Sequence, residues 1–141
     1  MGDPELRSSV AAPLRSPMDV VRFVRAVLGP GYGTRAAVVV IGLDSSGRVT
    51  GLAENRRRWT PRSLRVNEMV DLSAELAARA VVLVQLVPNL RREPSGADAH
   101  SYRALATRCA SEGVPVLDCV VVSGERWWSL GRILSERVAS N

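Results

Sequence analysis

Residues 81–98, VVLVQLVPNLRREPSGAD, decide how this chain is read. The opening run is apolar apart from Gln85 and stops at Pro88, so it reads as a strand buried on both faces that ends there. A short basic loop with Arg91 and Arg92 follows. Pro94-Ser95-Gly96-Ala97-Asp98 then has the form of a helix start: Ser95 caps the open N–H groups, and an acid stands three residues on, in capping-box spacing. That helix is expected to run to about Ser111 and to stop at Gly113.

Outward from this centre the punctuation is regular. Ser16-Pro17-Met18-Asp19 starts a helix, with Val20, Phe23, Val24 and Val27 on one face and a stop at Gly29-Pro30-Gly31. Residues 36–43, AAVVVIGL, form a second fully buried strand, and the Asp44-Ser45-Ser46-Gly47 turn returns the chain through residues 48–53 as a hairpin. An amphipathic helix is expected over 64–80, because Val66, Met69, Val70, Ser73, Leu76, Ala77 and Ala80 recur at helical spacing. On the other side, residues 114–117 and 120–122 read as strand, Gly124 as a turn and residues 127–130 as short and extended, before a last helix over about 130–139. An opening hairpin followed by alternating helices and strands implies an α/β sandwich with a mixed central sheet. Residues 1–15 are expected to be a flexible leader and 16–141 a single domain.

The totals exclude several classes. A chain of 141 residues, 46% hydrophobic, holds one domain with a real core. No apolar run approaches the roughly 18–20 residues that span a bilayer, so a cytoplasmic protein with no membrane partner is expected. Cys109 and Cys119 lack metal-knuckle spacing and read as buried apolar groups. The net charge is +5 and all nineteen basic residues are arginine, a usage that reflects GC-rich codons before it reflects any ligand. Gly29-Pro30-Gly31-Tyr32-Gly33 follows a helix and lacks the P-loop lysine, so no nucleotide site is supported.

The order Gln85-x-Val87-Pro88, loop, Pro94-Ser95-x-x-Asp98 resembles the metal-binding core of the JAB/MPN (JAMM) family, and most closely its RadC-like branch, whose pattern is His-x-His-Pro, loop, Pro-Ser-x-x-Asp. Thr60-Pro61-Arg62, Leu117-Asp118-Cys119 and Trp128-Ser129-Leu130 resemble further family segments, so the likeness extends over about 17–131. The resemblance implies a JAB/MPN-like, cytidine-deaminase-like sandwich. In active members two histidines and an aspartate hold zinc, and a glutamate on the first strand moves the proton of its bound water. Here Gln85 and Val87 stand at the histidine positions, Ala36 at the glutamate position and Cys119 where a further histidine is usual, while Ser95 and Asp98 are retained. The one histidine, His100, is turned by about 200° along the helix from Asp98 and reads as solvent-facing. The deaminase motifs His-x-Glu and Pro-Cys-x-x-Cys are absent.

A degenerate pseudoenzyme is therefore expected, with no catalytic residue, no metal and no small-molecule cofactor. Its expected role is protein–protein interaction or scaffolding, a homodimer included, through apolar groups around the former pocket (Leu86, Val87, Leu90) and the Trp127-Trp128 pair, of which one indole enters the core and the other faces outward. The alternative is nucleic-acid binding linked to DNA repair, as RadC-like resemblance suggests, through Arg56, Arg57, Arg58, Trp59, Arg62 and Arg65, extended by Arg91 and Arg92. A zinc isopeptidase with non-standard ligands is the lesser alternative.

Overall fold

The computed structural model describes residues 12–29, 36–55 and 65–140. Along the chain they form α1 (Pro17–Leu28), β1 (Ala37–Leu43), β2 (Val49–Asn55), α2 (Val66–Glu75), β3 (Ala80–Leu86), α3 (Gly96–Ser111), β4 (Val116–Ser123), β5 (Arg126–Ser129) and α4 (Leu130–Ser140). The expected α/β sandwich is present: a five-stranded mixed sheet in the order β2-β1-β3-β4-β5, flanked by helices. β1 pairs antiparallel with β2 and β3, β3 pairs parallel with β4, and β5 returns antiparallel on β4. The parallel pair requires a long crossover, which α3 supplies.

Strand alternation divides the core in two. Val39, Ile41, Leu43, Val82, Val84, Leu86, Val120 and Val122 face α1, where Val20, Val21, Phe23 and Val24 meet them. Val38, Val40, Val81, Leu83, Cys119 and Val121 face the other way, against Met69 of α2, Tyr102, Leu105 and Cys109 of α3, and Leu130 of α4. Burial on both faces explains why β1 and β3 read as unbroken apolar runs.

Local chemistry sets the ends. Ser16 Oγ accepts the Asp19 N–H at 3.2 Å to start α1, and Gly29, at φ 71°, closes it. In the hairpin turn, Asp44 Oδ1 accepts the N–H groups of Ser46 and Arg48 at 2.8 and 3.0 Å and the Ser46 hydroxyl at 2.6 Å. These bonds, the Ser46 hydroxyl foremost, hold the Asp44 carboxyl below its ordinary pKa. Within the stretch read as leader, Leu14 donates its N–H to Gly47 O at 2.8 Å and packs against the α1-side core.

Two boundaries differ from expectation. The strand read over 114–122 is β4, Val116–Ser123, which begins two residues later, after Val114 and Pro115, and runs one residue further. The helix expected to reach residue 80 ends at Glu75, because Ala77 takes φ 50° and turns the chain out. Ala77 N–H then donates to Ala74 O at 3.1 Å and Ala78 N–H to Ser73 O at 2.9 Å, a Schellman closure built on alanine. Glycine, the usual signal for such a stop, is missing, so periodicity alone overran the end. A left-handed alanine costs about 1–2 kcal/mol, so Ala77→Gly is expected to raise unfolding stability by about 1 kcal/mol in urea titration. Destabilisation by the same change would show that the turn carries no strain.

Candidate functional site

The site is built where β3 leaves the sheet. Gln85 is its second-last residue, half-buried, and shares the α3-facing side with Val81 and Leu83. Val87 continues that alternation, half-buried against the same cluster, while its N–H donates to Val122 O at 3.0 Å. Asn89 turns the loop at φ 55°, and Leu90 N–H is held by the buried Ser123 hydroxyl at 2.9 Å. The loop is thus tied to β4 at two points before Arg91 and Arg92, both exposed, carry it outward.

Ser95 and Asp98 form the complete capping box of α3. Ser95 Oγ accepts the Asp98 N–H at 3.2 Å, and Asp98 Oδ2 accepts the Ser95 N–H at 2.9 Å and its hydroxyl at 3.0 Å. The carboxylate also stands at the positive end of the helix. One and two α3 turns behind it, Tyr102 and Leu105 press onto the sheet, whereas His100 is exposed as expected.

The α3-side core holds two buried thiols. Burial pushes the Cys119 thiol strongly up, with the carboxylates of Asp118 and then Asp98 adding to it. Burial likewise raises Cys109, opposed by Arg108, and raises the Tyr102 phenol, which Asp118 and Cys119 reinforce. In the unfolded chain these groups would ionise near their ordinary values of 9.0 and 10.0. The unfolded state then holds fewer protons than the fold, so stability falls as pH rises through that range. The expected slope is about 1.4 kcal/mol per pH unit for each fully displaced group. Urea midpoints between about pH 8 and about pH 11 should fall, and Cys119→Ala should flatten the fall by one group's share; an unchanged slope in the variant would assign the loss elsewhere.

The other expected contact residues sort by face. Leu86 is 2% exposed within the α1-side core, so it is packing and not contact surface. Val87 and Leu90 lie half-buried on the α3 side. The two indoles do point to opposite faces, but neither is simply out: Trp127 packs on the α1-side core and Trp128 on the α3 side. The Arg132 guanidinium lies 5.8 Å from the Trp127 ring centroid and Arg126 4.7 Å from that of Trp128. Ala36 is exposed, one residue ahead of β1. Arg65 stands exposed at the α2 N-cap without a side-chain capping bond, and Arg56, Arg57, Arg58, Trp59, Arg62 and residues 1–11 lie outside the described residues.

One polar centre escaped the sequence reading. Asp118 Oδ1 accepts the N–H groups of Cys119 at 2.8 Å and Gly131 at 3.0 Å, and its Oδ2 accepts the Ser129 hydroxyl at 2.6 Å. Ser129 Oγ in turn accepts the Arg132 N–H at 3.1 Å, capping α4. A lone acid in an otherwise apolar strand was the available signal.

A hairpin, a parallel pair joined by a capped helix, and a loop tied beside that cap define an α/β sandwich of the JAB/MPN class. The chain belongs to the RadC-like JAB domain family, whose model matches residues 14–136. No curated protein matches it. The family implies zinc at this site, but the residues present do not fit that ion: Val87 has no donor atom, Gln85 offers an amide, and Asp98 Oδ2 already accepts two bonds within the cap. Among the described residues no group of three His, Cys, Asp or Glu side chains is placed to hold a metal, and no helix is long and apolar enough to cross a membrane.

Proposed function

We propose that this protein is a RadC-like JAB domain without hydrolase activity, which acts by binding another protein as an interaction or scaffold module. The donor set carries the reading: Gln85 and Val87 replace imidazoles, and the retained Asp98 is accounted for by its capping box. A water molecule needs a metal or strong base to attack an amide, and Ala36 supplies neither. The half-buried Val87, Leu90 and Trp128 around that frame are suited to an apolar contact.

The test is the zinc content of the purified, tag-free protein, with its mass in solution measured on the same sample. Substoichiometric zinc and no cleavage of an isopeptide-linked reporter are expected. Stoichiometric zinc surviving dialysis would overturn the reading and make Gln85, Glu93, Asp98 and His100 the first residues to mutate. A homodimer would weigh twice the 15.2 kDa chain.

A second reading, nucleic-acid binding linked to DNA repair, is favoured by the exposure of Arg91 and Arg92 on the same loop. Phosphate contacts predict a steep loss of oligonucleotide affinity between ~50 and ~200 mM salt. Absent or salt-insensitive binding would remove it.

A further inference from the structure

Two hollows flank the first turns of α4. One, of about 390 Å³, lies between the start of α1 and the first residues of β4, with Arg15, Leu117, Ser129 and Arg132 on its walls. The other, of about 660 Å³, lies between α3 and α4, lined by Arg103, Ala106, Ala110 and Leu134. Gly131 and Ser135 line both, so the hollows meet across a ridge whose lowest point has no side chain.

The charged lining is one-sided. Arg15, Arg103 and Arg132 are exposed, while Asp118, the only carboxylate among the described residues that line either hollow, is half-buried and accepts three hydrogen bonds from Cys119, Ser129 and Gly131. Between the arginines Leu14, Val20, Val82 and Leu117 line the first hollow beside the hydroxyls of Ser16, Ser129 and Ser135, and Ala106, Ala110 and Leu134 line the second; Leu117, which sits where the β3–β4 register slips, leaves 57% of its surface in water. The geometry points to a docking groove for an acidic peptide segment of a partner protein, laid across the start of α4 with an aliphatic side chain in each hollow and carboxylates on Arg15, Arg103 and Arg132. This assigns the partner's chemistry on the protein-binding reading above, at a surface separate from the degenerate metal frame. Charge complementarity selects the occupant, since arginine forks grip carboxylates while an aliphatic anchor displaces water from the floor. A nucleic acid fits less well: the one aromatic among the described lining residues, Tyr102, is 6% exposed and offers no face for a base.

The experiment selects random peptides displayed on phage against the intact protein, then measures labelled hits by fluorescence anisotropy. Acidic peptides with spaced aliphatic residues are expected to enrich. Ala110→Trp, which fills one hollow from an exposed position, and Arg132→Glu, on the other wall, should each weaken them about tenfold or more, with circular dichroism unchanged. Hits that bind both variants as well as wild type would overturn the groove. If those hits were instead lost on Leu90→Glu, the protein-binding reading would stand with its surface at the degenerate frame; no enrichment would count against both. A single-stranded oligonucleotide that binds the wild type and loses binding in Arg132→Glu would overturn the peptide assignment.

Discussion

Asp118→Ala is expected to lower unfolding stability by about 3 kcal/mol, read as a fall of roughly 1–2 M in the urea midpoint. The carboxylate joins three elements at one point: it accepts from β4 through Cys119 N–H, from the end of β5 through the Ser129 hydroxyl, and from the first turn of α4 through Gly131 N–H. Charge-assisted bonds of this kind are stronger than neutral ones, and the negative charge faces the positive end of a helix. Alanine would leave the Cys119 and Gly131 N–H groups without this acceptor, and Ser129 would lose the bond that fixes it as the α4 cap. Asp118→Asn keeps an acceptor oxygen and should cost about 1 kcal/mol. Ser129→Ala, which removes the cap but leaves Asp118 on both N–H groups, should fall between them at about 1–2 kcal/mol. An Asp118→Ala protein within about 0.5 kcal/mol of wild type would show that the junction contributes nothing to the fold.

This junction also marks the limit of what the chain discloses before it is folded. Ser16 with Pro17, and Ser95 with Asp98, announce their helices because a cap is chemistry among neighbours, three residues apart. β1 and β3 announce themselves because burial on both faces leaves no polar residue to interrupt them until Gln85. Asp118 binds residues 11 and 13 positions further on, across the turn at Gly124, so neither its partners nor its purpose follow from spacing. Leu86 and Val87 illustrate the same limit at the site: adjacent in sequence, they lie on opposite faces, and the alternation that separates them is fixed by pairing with β1 and β4. The degenerate donor set was legible because it is a matter of residue type, whereas the hollows beside α4 depend on how α1, α3 and α4 approach one another.

Leu105→Ala should cost about 3–4 kcal/mol and expose both thiols to labelling. Leu105 has no exposed surface and stands on α3 between Tyr102 and Cys109, facing Met69 and Leu83 in one cluster. Truncation removes apolar contacts from three elements at once, and an alanine cannot draw the sheet and helices together without opening a gap elsewhere. Cys109 and Cys119, 0% and 1% exposed in that same cluster, react with a thiol reagent only when the layer of helices lifts from the sheet. A loss of about 3 kcal/mol should therefore raise the labelling rate by roughly a hundredfold at fixed reagent. The site predicts a second effect: α3 carries the Ser95–Asp98 cap at one end and Arg103, Ala106 and Ala110 along the hollow beside α4. If the groove takes an acidic peptide, saturating peptide should slow labelling in the Leu105→Ala protein, because ligand that binds only the closed form stabilises it by mass action. Labelling that stays as slow as in the wild type would mean that α3 is held to the sheet by contacts other than those its one leucine makes.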